Sequence, residues 1–274
     1  MKSKRFFLVI PLVIAAIMLS GVPAGAGPAA SVEPKQGEEQ AMAIVKRMAE
    51  FLANAKSFSV TADIGFDAVQ SSGQKIEFGE TRKIVLERPN HLRVDETKRD
   101  GAQNRLIFDG KSVSYYHARE NVYAIDPRAG TVDDMIEYFV NGLDMRLPLA
   151  EMMSTQLPRL LSEKIREAAF VEESSVAGIA CDHLALRGDK VDLQVWVAQG
   201  ARPLPQRLLI TYKQLDGRPQ FWAQFIDWNL APKITESLFA FTPPSGAVKI
   251  AFSPQQVKKL GQQRQKKGDS NESK

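Results

Sequence analysis

The chain has 274 residues, 44% of them hydrophobic, and a formal net charge of +4. That length and apolar content support one sizeable core. The charge sits at the two ends: residues 1–26 hold Lys2, Lys4 and Arg5 without an acid, and the stretch from Gln255 is at +4, which leaves the body at −3. A body of that sign lacks the basic face that nucleic-acid binding requires. Cys181 is the single cysteine, so no internal disulfide is expected and the domain must depend on its core.

Lys2, Lys4 and Arg5 precede an apolar run, Phe6–Leu19, and Ala24-Gly25-Ala26 then offers a small-residue cleavage site. This is the pattern of a secretory signal peptide over 1–26. The run is interrupted by Pro11 and is shorter than the ~20 residues that span a bilayer. No cysteine lies near the cleavage site to accept a lipid, so a soluble, periplasmic mature chain is expected. Residues 27–37, rich in Gly, Pro, Ala and Ser, read as a disordered lead-in. From Glu38 the period changes. Ala41, Ile44, Val45, Met48, Phe51, Leu52 and Ala55 recur at three- and four-residue steps, one apolar stripe on an amphipathic helix.

Period two follows. Phe58, Val60, Ala62, Ile64 and Phe66 alternate with polar or small residues, as in a strand with one dry face. Further strands are expected at Lys75–Glu87, His91–Thr97, Asn104–Asp109, Lys111–His117 and Asn121–Asp126, with Asp100-Gly101 and Asp109-Gly110 as turns. Thr131 with Asp134 starts a helical insert carrying Met135, Ile136, Phe139, Val140 and Leu143. Helical pieces are expected at Leu147–Met153 and, after Pro158, over Arg159–Ala168. Ala169–Val176 reads as a strand. Ile179–Trp228 then holds the densest strand pattern, including Val191, Leu193, Val195 and Val197 alternating with Asp192, Gln194 and Trp196. Near its end Trp222, Gln224, Ile226 and Trp228 are expected on one strand face, with Phe221, Ala223 and Phe225 on the other. After an edge-like segment through Ile250, residues 254–274 are Gln- and Lys-rich without apolar period and read as a disordered basic tail.

Several segments carry a resemblance. These are Arg88-Pro89-Asn90-His91-Leu92-Arg93-Val94-Asp95, Phe108-Asp109-Gly110-Lys111, Asp182-His183-Leu184-Ala185, Val191–Val197, Pro203-Leu204-Pro205-Gln206-Arg207, Asp227-Trp228-Asn229 and Phe241-Thr242-Pro243-Pro244-Ser245-Gly246-Ala247. Together they resemble a family of predicted periplasmic bacterial proteins of unknown function, grouped with the LolA/LolB-like lipoprotein carriers. The resemblance spans roughly Glu38 to Phe252 and brings no catalytic motif. It implies a mainly β (α+β) fold over 38–253: a curved, antiparallel half-open barrel with helices on its concave face. The periodicity agrees, giving about eleven strands, an N-terminal helix and a helical insert.

Cys181 and His183, two apart in a strand, share a face. They form a conceivable nucleophile pair without an evident third group, and a buried small Cys beside a hydrogen-bonded His is the simpler reading. His91, His117 and His183 are not spaced as a zinc cluster, and no cofactor or metal is expected. Arg187-Gly188-Asp189 reads as a hairpin turn. The aromatic strands point instead to non-covalent binding of an apolar envelope ligand: an acyl chain, a lipid or a lipidated protein. Phe66, Tyr115, Trp196 and Trp222 are the candidate cavity lining. The alternatives are an envelope protein-interaction or sensing module and a hydrolase on Cys181 and His183. The basic tail could rest on an anionic membrane surface. N-terminal sequencing of the protein from a periplasmic extract should begin at or near Gly27; an intact Met1 in the membrane fraction would contradict the leader assignment.

Overall fold

The computed structural model describes residues 34–252, apart from 144 and 146. The expected signal peptide, the start of the lead-in and the basic tail lie outside the described residues. Helix α1 (Pro34–Asn54) opens the domain, four residues before the expected start. The fixed φ of proline suits the first helical position. Its stripe of Ala41, Val45, Met48, Ala49 and Leu52 is buried.

Six strands follow: β1 (Ser57–Val69), β2 (Lys75–Glu87), β3 (His91–Lys98), β4 (Gln103–Phe108), β5 (Ser112–His117) and β6 (Val122–Pro127). The insert then contains α2 (Val132–Glu137), a π-helical turn at Tyr138–Gly142, a 3-10 turn at Ala150–Met153 and α3 (Leu157–Lys164). Thr131 caps α2: its hydroxyl accepts from the Asp134 amide, and the Asp134 carboxylate reaches back to the Thr131 amide at 2.8 Å, the reciprocal pair of a capping box. The second meander is β7 (Ile165–Val176), β8 (Ile179–Gly188), β9 (Val191–Ala198), β10 (Pro205–Tyr212) and β11 (Gln220–Asn229), and β12 (Val248–Lys249) comes last. The last helix of the insert ends at Lys164, four residues short of the expected Ala168. There Ile165 and Ala168 join β7 and pair with Gly188 and Leu186, so tertiary pairing overrides local helix preference.

All twelve strands belong to one open, curved sheet, ordered β12-β6-β5-β4-β3-β2-β1-β11-β10-β9-β8-β7. Pairing is antiparallel except for β12, which lies parallel to β6. The two meanders meet where β1 pairs with β11. The inner face packs into one core with α1 and the insert; that core includes Phe58, Ile84, Leu86, Phe108, Val132, Phe139, Leu184 and Val195.

Register divides the side chains between two faces in rows that cross the strands. One inner row is Leu186–Leu193–Ile210–Phe221–Phe66–Phe78, each residue directly opposite the next across β8, β9, β10, β11, β1 and β2. On the outer face Gly65 of β1 lies opposite both Gly79 of β2 and Trp222 of β11. A Cβ at Gly65 would overlap the Trp222 indole, and one at Gly79 would overlap the Arg99 guanidinium. The glycine pair is therefore the notch across which these two side chains lie.

One sequence expectation fails at a bulge. Ser59 pairs with Asn229 but Thr61 with Ile226, so β11 carries one extra residue, and Asp227 there has φ +56°. The bulge turns Trp228 off the face of Trp222. It packs instead 5.4 Å from Phe58 and 5.7 Å from Phe225, ring centroid to centroid, against the core. Replacing Gly65 by Ala should destabilise the fold by about 1–3 kcal/mol through this steric overlap. In chemical denaturation, the double variant Gly65→Ala with Trp222→Ala should lose less than the sum of the two single changes; strict additivity would show that the notch is not filled as described.

Candidate functional site

The four aromatic candidates divide between the faces. Phe66 is on the inner face, half-buried, and stacks on Phe78 with centroids 6.2 Å apart. Tyr115 is also inner, opposite Leu106 and Ala124. Trp196 and Trp222 are on the outer face. Trp196 lies opposite His183 and Arg207, and Trp222 opposite Leu209 and Gly65. A single lining made of all four therefore does not exist. The physical reason is register: the period of two assigns Trp196 and Trp222 to the phase opposite Val195, Val197, Phe221 and Phe225.

The outer pair belongs to a ladder of its own. The His183 ring stacks on Trp196 at 4.1 Å and 8°. The Arg207 guanidinium sits 5.7 Å from the Trp196 ring centre and 5.3 Å from that of Trp222, within cation–π range. Trp222 Nε1 donates to Glu77 at 3.1 Å, and His183 Nε2 meets Gln194 Oε1 at 3.0 Å. Each ring is thus already faced by a partner of this chain.

Cys181 and His183 do share a face, as expected, but they do not form a nucleophile pair. Cys181 is fully buried, its Sγ donates to the Ile179 carbonyl at 3.3 Å, and burial pushes its thiol pKa up. Nucleophilic cysteines need the reverse shift. The histidine is engaged with Gln194 and Trp196. Among the described residues there is no group of three or more His, Cys, Asp or Glu that could hold a metal ion.

The inner face holds a set of residues that the sequence reading missed. Arg82, Glu96, Asn104 and His117 form a row directly opposite one another across β2, β3, β4 and β5, and Glu80 and Lys98 are paired in the adjacent row. Glu80, Asn104 and His117 are 4%, 5% and 4% exposed. Arg82 Nη2 contacts Glu80 Oε1, Arg82 Nε lies 3.6 Å from Glu96 Oε2, and Asn104 Nδ2 donates to Glu96 Oε1 at 2.6 Å. Lys98 Nζ is 4.0 Å from Glu96 Oε1. His117 Nδ1 accepts from the Glu120 amide at 3.3 Å. Burial, and after it the nearby Lys98, pull the His117 pKa down. Burial, and then the carboxylates of Glu96 and Glu80, push the Tyr115 hydroxyl well above its usual value. The sequence did carry the signal. Glu80 and Arg82 are in phase with Phe78, Ile84 and Leu86, Glu96 with Leu92 and Val94, and Asn104 with Leu106 and Phe108. These are polar residues at positions whose neighbours in phase are apolar.

This band therefore borders the apolar row at Phe78. Val60–Ile84–Val94–Leu106–Tyr115–Ala124 flanks it on the other side. Such an arrangement can bury an apolar chain and present both donors and acceptors beside it. It offers no activated nucleophile.

The chain belongs to the family described as "Predicted periplasmic protein (DUF2092)", whose model matches residues 41–253. It takes that family's periplasmic assignment, and no described helix is long and apolar enough to cross a membrane. Among solved structures it is similar to a LolA superfamily protein from Nitrosomonas europaea (10% identity, 73% of this chain, 97% of that one, TM-score 0.37). It is also similar to LprF from Mycobacterium bovis (10%, 77%, 99%, 0.44) and to the lipoprotein LppX from Mycobacterium tuberculosis (11%, 72%, 99%, 0.44). No curated protein matches it.

Burial raises the Glu80 carboxyl above its ordinary 4.5, against the opposing pull of Arg82. An acid raised by folding adds stability below its unfolded pKa, and that contribution is lost as pH climbs through the folded value. Wild type should therefore lose stability relative to Glu80→Gln as pH rises above 4.5. Urea denaturation of both proteins across pH 4–7 (roughly the window set by a raised carboxyl) checks this, and a difference independent of pH would contradict it.

Proposed function

We propose that this periplasmic chain is a non-catalytic binding protein for an amphiphile of the envelope, with the ligand's apolar tail lying along the inner face of the sheet. The observation that carries the reading is the continuous row Leu186–Leu193–Ile210–Phe221–Phe66–Phe78. Six strands at ~4.8 Å spacing make it roughly 24 Å long, more than the ~15 Å that one lipid tail covers in half a bilayer core. Leu193, Phe66 and Phe78 are half-buried, so the row is not wholly consumed by the protein's own packing. Phe66 and Tyr115 remain the proposed lining residues from the aromatic set, at the row and at the flank of the polar band. A lipid or the acyl chain of a lipoprotein is the ligand class, and binding would come from apolar burial at about 25 cal/mol per Å².

The test is titration of a hydrophobic fluorophore, followed by displacement with lipid. Wild type should bind saturably. Phe66→Ser should weaken binding by about tenfold, in keeping with the loss of one buried aromatic, while Trp196→Ser should leave the affinity near wild type. A folded wild type that takes up neither fluorophore nor lipid would overturn the reading and leave the interaction-module alternative in its place.

A further inference from the structure

We infer that the polar band on the inner face of β2, β3 and β4 holds the uncharged polyhydroxyl head group of the amphiphile whose tail lies on the adjoining apolar row. The inference rests on the binding reading above and adds the chemistry of the head.

The first support is an unmet need. Asn104 is 5% exposed, and its Nδ2 is engaged with Glu96 while its Oδ1 has no hydrogen-bond partner among the described residues. Arg82 Nε is buried and also lacks one; its distance of 3.6 Å to Glu96 is that of an ion pair and too long for a hydrogen bond. A buried acceptor or donor left unpaired costs about 1–3 kcal/mol. A group that occupies the site and satisfies both therefore gains from both.

The second support is charge. The band holds two carboxylates, Glu80 and Glu96, against two cations, Arg82 and Lys98, in mutual contact. An anionic head would face Glu80 and Glu96 at close range, and a cationic head would face Arg82 and Lys98. Either would enter a low-dielectric site without a free counter-charge. What is unmet is two acceptors, Glu80 Oε1 and Asn104 Oδ1, and one donor, Arg82 Nε, and hydroxyls supply the complement of each. Several hydroxyls on one rigid head supply them at once.

The third support is position. Glu80 is two residues from Phe78 on the same face of β2, and Asn104 is two from Leu106 on β4. A tail running onto the Phe66–Phe78 end of the apolar row thus brings its head to Arg82 and Asn104.

The experiment uses the full chain and probes that share a dodecyl tail below micellar concentration: dodecyl maltoside, whose head donates and accepts, and dodecyltrimethylammonium, whose head does neither. Calorimetric titration of wild type should show maltoside bound about tenfold more tightly, the scale expected from satisfying a buried polar pair. Asn104→Leu removes the Asn104 acceptor. Arg82→Lys removes the Nε donor but keeps the charge between Glu80 and Glu96, and it covers the case in which Asn104→Leu fails to fold. Each folded variant should lose most of the preference, while its affinity for dodecyltrimethylammonium stays near that of wild type. Equal binding of both probes by wild type, or a preference untouched in both variants, would overturn the head-group inference and leave the binding reading standing. Binding of neither probe would overturn both.

Discussion

The whole arrangement depends on the register of one twelve-stranded sheet. Because side chains alternate with a period of two, a slip of one residue in any strand would exchange its inner and outer sets. In β2 such a slip would move Ile84 and Leu86 outward and bring Lys83 and Val85 under the helices. The register at the junction of the two meanders is fixed by shape. Gly65 accepts Trp222 across one neighbour and Gly79 accepts Arg99 across the other, and Arg99 in turn pairs with Asp63 at 3.2 Å. Nothing bulkier fits that notch, so β1 is held against both β2 and β11 in one alignment.

Two polar assemblies result, one on each face, and they are energetically unlike. The outer ladder has His183 stacked on Trp196, Arg207 over both indoles and donors matched by Gln194 and Glu77, with His183 Nδ1 its one buried atom without a hydrogen-bond partner among the described residues. It is a surface spine that braces the second meander. The inner band buries Glu80 and leaves Arg82, Glu96 and Lys98 only about one-fifth exposed. Desolvation of that kind is recovered only where geometry and extra hydrogen bonds are good, and here three buried atoms, Glu80 Oε1, Arg82 Nε and Asn104 Oδ1, stay unmatched. Sites that keep such a deficit are where function is sought first, since a fold under selection for stability alone replaces them with apolar residues at little cost.

Much of the fold was legible because its signals are local. The alternation in β1 and β9, the three-and-four spacing in α1 and the Thr131–Asp134 pair each lie within a few residues. What was illegible depends on partners far away in sequence. Whether Trp196 or Val195 points inward is decided by pairing with His183 and Arg207, and the extra residue at Asp227 that redirects Trp228 is invisible to a period count. The end of the last insert helix was misplaced for the same reason, since β8 claims Ile165 and Ala168. The polar band was overlooked because charged residues in a strand are read as outward-facing by default. Their phase relative to Phe78, Ile84, Leu92 and Leu106 contradicts that default.

The bulge at Asp227 also sorts the three indoles of the chain by optical environment. Trp196 is capped by an imidazole and a guanidinium, and Trp222 lies between Arg207 and Glu77, both on the side away from the core. Trp228 alone is set among Phe58 and Phe225, with its nitrogen donating to the Pro205 carbonyl at 3.0 Å. Intrinsic emission is therefore a composite of two half-buried outer-face reporters and one half-buried reporter packed against the core. A change in the protein's interior would register through one chromophore of the three, beneath a constant background from the other two.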